Sequence, residues 1–221
     1  MSRKFPIAKN QHYVPQFILR NFTVGDGKQI FVFDKQNEKS FRTNIRNVAT
    51  ESGFYNFDID EYQFTIEPGL GELEGQTSEA FEKIVEDKSI SNLDDDDKVK
   101  IAAFISVQIY RTRYFRDKIS DISKGMSERS KLYAFDPDQE SVPKPLDEKE
   151  IKDVSIKMVM KDSEELIPHI IDKKWILYET TKLDPFYISD NPVARQNRKD
   201  FGPLWGNLGL AVTGIEKSIS H

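Results

Sequence analysis

The most constraining feature of this sequence is a helix-period apolar run that carries polar residues where its buried stripe should be. Ile101, Phe104 and Ile105 recur at three- and four-residue steps, and the same stripe continues through Gln108 to Thr112 and Phe115. Arg111 follows Gln108 by one turn. An inward glutamine and arginine need partners, because an unsatisfied buried polar group costs about 1–3 kcal/mol and an unpaired charge more. The sequence supplies one acceptor in kind. Glu74 sits beside Leu73 on a second stripe (Leu70, Leu73, Thr77, Phe81, Ile84) and meets Arg111 if the two helices pack antiparallel.

Strand patterns surround these helices. Gln29–Asp34 is short, apolar and aromatic after the Gly25-Asp26-Gly27 turn, and Phe41–Val48 reads as a second strand with Arg42, Asn44 and Arg46 on a wet face. Gly53–Phe57 and Tyr62–Ile66, joined by a turn over Asp58–Glu61, complete an antiparallel set that Pro68-Gly69 ends. The first helix is predicted from Leu70. The central one follows four aspartates, Asp94 to Asp97, whose charge and capping oxygens suit a helix N-terminus better than a metal site, and is predicted to run to about Ser123 and resume through Leu132. A proline-bearing loop over residues 135–145 precedes a helix opened by Asp147, and Asp162 or Ser163 caps another around Pro168. Trp175–Tyr178, Phe186–Ser189 and Gly209–Thr213 read as strands. The expectation is a single α+β domain over 1–221, with central helices packed with small antiparallel strand sets: strand-rich over 1–68, mainly helical over 69–172 and strand-rich over 173–221.

The chain has no cysteine, which excludes disulfide frameworks, thiolate metal sites, iron–sulfur clusters and cysteine nucleophiles. It shows no apolar run behind its basic N-terminus and none long enough to span a bilayer, so a soluble, cytoplasmic protein without a membrane partner is expected. The net charge of −5 hides a strong division. Residues 1–48 carry nine bases and three acids, and residues 49–100 carry four bases and fifteen acids. Two readings stand: internal charge complementarity, or a local basic patch for phosphates. Arg113, Arg116 and Lys118, interleaved with Tyr110 and Tyr114, form a second basic–aromatic patch that suits either nucleic acid or solvent.

Two further polar constellations stand out. Asn10–Thr23 packs His12, Tyr13, Gln16, Arg20 and Asn21 among aromatics, and a helix opened by Pro15 puts Gln16 and Arg20 on one face. Ser189-Asp190-Asn191-Pro192 makes a turn, a place where ligand groups also sit. Glycine-rich phosphate loops, HExxH, nucleophile elbows and zinc-ligand spacings are all absent from the sequence. An Asp/Glu site for magnesium stays open, with Glu74 and Asp190 as candidates.

The stretch Gln11-His-Tyr-Val-Pro-Gln-Phe-Ile-Leu-Arg-Asn-Phe22 resembles the opening signature of the bacterial family called domain of unknown function 4238. Gly53-Phe-Tyr, Leu73-Glu74, Gln108-Ile-Tyr-Arg-Thr112, Ser189-Asp-Asn-Pro192 and Gly209-Leu-Ala-Val212 resemble its later blocks in order. The resemblance implies a Pro-Leu-Ser-Pro-like segment and a closing strand after Glu216, where this chain instead ends at His221, so it is either truncated or divergent there. No established activity comes with the family. The leading functional expectation is a hydrolase or nuclease-like enzyme acting on nucleotide or nucleic-acid phosphates. In it His12, Glu74 and Asp190 are catalytic, and Gln16, Arg20, Gln108 and Arg111 hold phosphate. The alternative is a non-catalytic ligand-binding or regulatory module whose polar motif residues form a buried structural network.

Overall fold

In the computed structural model of the chain, the described residues are 10–59, 61–133, 143–181, 183–195 and 212–214. Chain order begins with β1 (Asn10–His12), α1 (Gln16–Arg20), β2 (Gln29–Asp34) and β3 (Lys39–Asn44). After a 3₁₀ turn (Ile45–Asn47) come β4 (Thr50–Ser52), β5 (Asn56–Ile59) and β6 (Tyr62–Thr65). The helices follow: α2 (Glu67–Asp87), α3 (Asp95–Tyr110), α4 (Arg113–Tyr133), α5 (Glu148–Lys157) and, after a π-helical turn (Met158–Asp162), α6 (Ser163–Ile171). Strands β7 (Val193–Arg195) and β8 (Val212–Gly214) close the described chain. The strands form four antiparallel pairs, β1–β4, β2–β3, β5–β6 and β7–β8. The architecture is α+β, with helices packed against small two-stranded sheets.

Helix α3 is the axis. Asp94 caps it in a reciprocal box with Asp97, and Asp97 is itself buried against the Lys83 ammonium at 2.7 Å. The aspartate run is therefore a helix start, as its charge pattern predicts. Three core clusters lean on this one helix. Phe104 packs with Val14, Ile18, Leu19, Ile30 and Ile45. Val107 packs with Phe54, Tyr55, Leu70 and Val159, and Ile101 with Ala80 and Leu93. Contacts with α2 run in opposite senses along the two chains: Lys83 to Asp97, the Thr77 hydroxyl to the Lys100 carbonyl, Glu74 to Arg111. The two helices are antiparallel.

Several boundaries differ from the sequence expectation. The run predicted as one helix to Ser123 breaks at Arg111, whose backbone leaves the helix at φ −89° and ψ 8°. The Thr112 hydroxyl then accepts the Phe115 N–H and starts α4 afresh. The second predicted strand stops at Asn44, because its side-chain oxygen accepts the Arg46 N–H at 3.0 Å and turns the chain into the 3₁₀ segment. Helix α2 opens at Glu67, with Pro68 in the first turn where its missing N–H costs nothing. Gly53–Tyr55 form a turn, and pairing starts only at Asn56. Trp175–Tyr178 and Phe186–Ser189 belong to no helix and no ladder among the described residues. Side-chain anchors replace ladder bonds there: the Trp175 indole donates to the Ile170 carbonyl at 3.0 Å, and Ile188 packs on the Phe104 cluster. Of the last predicted strand, 209–211 lie outside the described residues and Val212–Gly214 pair as β8.

The turn before β5 is under a backbone constraint. Gly53 has φ +63°, and a Cβ there would meet the Asn56 side-chain nitrogen at 3.2 Å. Gly53→Ala is expected to destabilise the fold by about 1–2 kcal/mol through the left-handed backbone alone. Urea unfolding of the two proteins measures it.

Candidate functional site

Two adjacent regions gather the polar residues singled out by the sequence, one buried and one open. The buried region is built around Arg111, which is only 1% exposed. Its Nη2 donates to the His12 carbonyl at 2.7 Å and pairs with Glu74 Oε1 at 2.7 Å, while Nε donates to the Tyr55 hydroxyl at 2.9 Å. That hydroxyl in turn donates to the His12 carbonyl at 2.9 Å. One turn earlier, Gln108 Nε2 donates to the Tyr13 carbonyl at 2.7 Å. Gln11 is equally committed: its amide donates to Asn56 and Thr65, and its Oε1 accepts the Tyr55 N–H at 2.6 Å. The α3 side chains thus take up the carbonyls of residues 12 and 13, groups that the short β1 ladder leaves free.

The electrostatics follow from burial. Burial pushes the Tyr55 hydroxyl up to about 12, so it stays a protonated donor. Burial also works against the Arg111 charge, but Tyr55 and Glu74 outweigh it and raise its pKa. Glu67 lies close enough to feel Arg111, yet burial holds its carboxyl above the usual range. Arg111 Nη1, Gln108 Oε1 and Glu67 Oε2 are buried atoms without a hydrogen bond among the described residues. Arg116, on the first turn of α4, lies 3.4 Å from the Phe54 ring centroid and donates to the Phe54 carbonyl and the Ser155 hydroxyl. Burial brings Arg116 down to about 10, still charged at neutral pH. It is therefore turned inward rather than displayed with Lys118 in a basic surface patch.

His12 lies half-buried, with Nε2 3.3 Å from the Ile45 carbonyl. Burial lowers its pKa below 6.5; Arg111 acts in the same direction, and the Ile45 carbonyl and Glu74 oppose it without reversing it. Asp190 is exposed in a turn closed by Ser189, whose hydroxyl donates to the Asn191 carbonyl at 2.8 Å. Burial and then the charge of Asp190 raise the Tyr13 pKa. His12, Glu74, Gln108 and Arg111 are brought together. Asp190 reaches them only through its charge on Tyr13, and no group of three or more His, Asp or Glu among the described residues could hold a metal ion.

Gln16 and Arg20 face elsewhere. With Asp26, Gly27, Lys28, Asn44, Ile45 and Arg46 they line an open cleft of about 470 Å³. Lys28 lies 3.9 Å from the Asp26 carboxylate. The exposed guanidiniums of Arg20 and Arg46 have no ion pair or side-chain hydrogen bond among the described residues. Ile45 joins the regions, since its side chain lies in the core and its carbonyl meets His12. Sequence reasoning did not select Lys28 or Tyr55. Asn44 and Arg46 were visible as the wet face of a strand, but the turn that aims them was not.

An α+β chain with a buried arginine network beside an open basic cleft is the class these observations define. The chain belongs to the family described as protein of unknown function (DUF4238), whose model matches residues 10–211. No curated protein and no solved structure matches it. No helix among the described residues is long and apolar enough to cross a membrane.

Two outcomes follow for the network. Glu74→Ala removes the only anionic partner of Arg111 seen among the described residues and should destabilise the protein by about 3–5 kcal/mol, toward the lower end because Glu74 is 25% exposed. Chemical denaturation measures this, and Glu74→Gln should recover part of the loss. His12 prefers to be neutral in the fold, so as pH falls through 6.5 the unfolded chain takes the proton first. Stability should be whole above that pH, decline below it and level off beneath the folded-state pKa. The unfolding free energy of wild type should therefore fall relative to that of His12→Gln as the pH drops from 7.5 to 5.

Proposed function

We propose that the protein is a non-catalytic binding module for a phosphate-bearing ligand, held in the cleft between Arg20, Lys28 and Arg46. The observation that carries this reading is the pair of unpaired guanidiniums facing one cleft, with the amides of Gln16 and Asn44 beside them. A guanidinium offers forked donors matched to phosphate oxygens, and neutral amides add donors without further repulsion. The volume suits a small-molecule site.

The buried residues support the same reading from the other side. Catalysis by His12 or Glu74 needs a group free to exchange a proton with substrate. His12 Nε2 instead rests on the Ile45 carbonyl, and Glu74 neutralises Arg111. Gln108 and Arg111 hold the backbone of residues 12 and 13 and leave phosphate contact to Gln16 and Arg20. A site for magnesium at Glu74 and Asp190 receives no support from their placement, one in an ion pair and the other in an exposed turn.

Calorimetric titration with pyrophosphate tests the cleft. Wild type should bind, and Arg20→Ala and Arg46→Ala should each weaken binding about tenfold or more, in line with the 1.5–3 kcal/mol typical of hydrogen bonds to charged groups. Unchanged affinity in both variants overturns the assignment.

A further inference from the structure

The hairpin beside the cleft carries a feature that anion binding alone leaves unused. In β2 and β3, Ile30 and Val32 point into the core, so the opposite face bears Phe31 and Phe33. These rings are 67% and 59% exposed. Directly opposed residues share a face, which puts Arg42 across from Phe31, Ser40 across from Phe33, and Asn44 across from Gln29. The Arg42 guanidinium carbon lies 5.8 Å from the Phe31 ring centroid. Asn44 is at once the end of this face and part of the cleft wall. The face that bears the two exposed rings and Arg42 thus meets, at Asn44, the cleft lined by Arg46, Lys28 and Arg20.

We infer that this face and the cleft together bind single-stranded nucleic acid, with bases stacked on Phe31 and Phe33 and the backbone phosphates led into the Arg20–Arg46 cleft. The inference rests on the phosphate-binding reading and names its ligand class. Two rings at i and i+2 on one strand face stand about 6.8 Å apart, so each can take its own base. Aromatic platforms beside a track of cations are the arrangement that holds single strands with little sequence preference. Charge selects this occupant over another apolar surface. Arg42 lies against Phe31, Arg46 and Lys28 line the cleft with Lys28 3.9 Å from Asp26, and Asp34 is turned into its own loop, accepting from Gln36 and Asn37. Double-stranded nucleic acid has no free base faces to offer the rings.

The test is fluorescence anisotropy of a labelled single-stranded twelve-nucleotide oligomer, run beside the pyrophosphate titration on the full chain. Wild type should bind the single strand, more weakly as salt rises, and bind the matching duplex less well. Phe31→Ala with Phe33→Ala should lower oligomer affinity about tenfold or more while leaving pyrophosphate binding unchanged. The double Leu variant should fail like the Ala variant, because stacking needs a π face and not merely an apolar one. Both rings are exposed, so the variants should keep the wild-type urea midpoint. Arg20→Ala should weaken both ligands. Oligomer binding that survives the Phe variants, or Leu variants that bind like wild type, overturns the inference. So does a hairpin face whose loss alters self-association but no nucleic-acid affinity. Pyrophosphate binding without oligomer binding overturns the inference and leaves the cleft reading intact, whereas loss of neither ligand in the Arg variants removes the cleft reading itself.

Discussion

A guanidinium buried at the C-terminal end of α3 is the constraint on which the rest of the structure depends. Arg111 cannot be left uncompensated, since breaking a buried pair costs several kcal/mol. Its partners come from sequence positions 12, 55 and 74. Glu74 requires α2 to pack antiparallel to α3, Tyr55 requires the Gly53 turn, and the His12 carbonyl requires β1 to lie across the helix end. None of these can form locally. Satisfying one charge therefore closes the strand layer onto the helices, and the break between α3 and α4 is part of the same event. If the helix ran on through Arg111, Thr112 could not restart the chain with its hydroxyl on the Phe115 N–H.

The segment from Gln11 to Arg20 serves two purposes because its conformation changes midway. In β1 the side chain of Gln11 and the carbonyls of His12 and Tyr13 face the network. At Val14 and Pro15 the chain turns into α1, where Ile18 and Leu19 are buried and Gln16 and Arg20 look into the cleft. A helix of five residues has little stability of its own. It is fixed at its start by the network and along its length by the Phe104 cluster. The buried bonds thus set the direction of the cleft residues, a preorganisation that lowers the entropic cost of holding a ligand.

Much of this was legible in the residues. The inward Gln108 and Arg111, and Glu74 as the ion-pair partner, follow from helical period and the cost of unpaired polarity. The aspartate run read correctly as a cap. What period could not reveal was direction at the joints. Arg111 and Thr112 fit the helical stripe, so the break there depends on tertiary bonds. Asn44 looks like a strand residue until its oxygen caps the next turn. Trp175–Tyr178 has strand composition but meets no ladder partner among the described residues, and composition carries no information about neighbours. The site divided for the same reason. Gln16, Arg20, Gln108 and Arg111 share a residue chemistry, while the fold places the first two at an open cleft and the last two in the core.

Charge completes the argument. The uneven distribution along the chain admitted both internal neutralisation and a basic patch, and the described ion pairs separate the two. Part of the acidic middle is answered within the helices: Asp97 by Lys83, Asp96 by Lys100, Glu74 by Arg111, while Glu179 reaches back to Lys88. In residues 10–48 the described ion pairing reduces to Lys28 with Asp26 at 3.9 Å. Four acids of the middle pair with a helix-borne cation among the described residues, whereas Arg20, Arg42 and Arg46 have no carboxylate partner among them. A net charge of −5 therefore says little about what this surface attracts. Residues 10–48 carry six bases and three acids, so the charge around the cleft and the exposed rings is opposite in sign to the whole-chain sum.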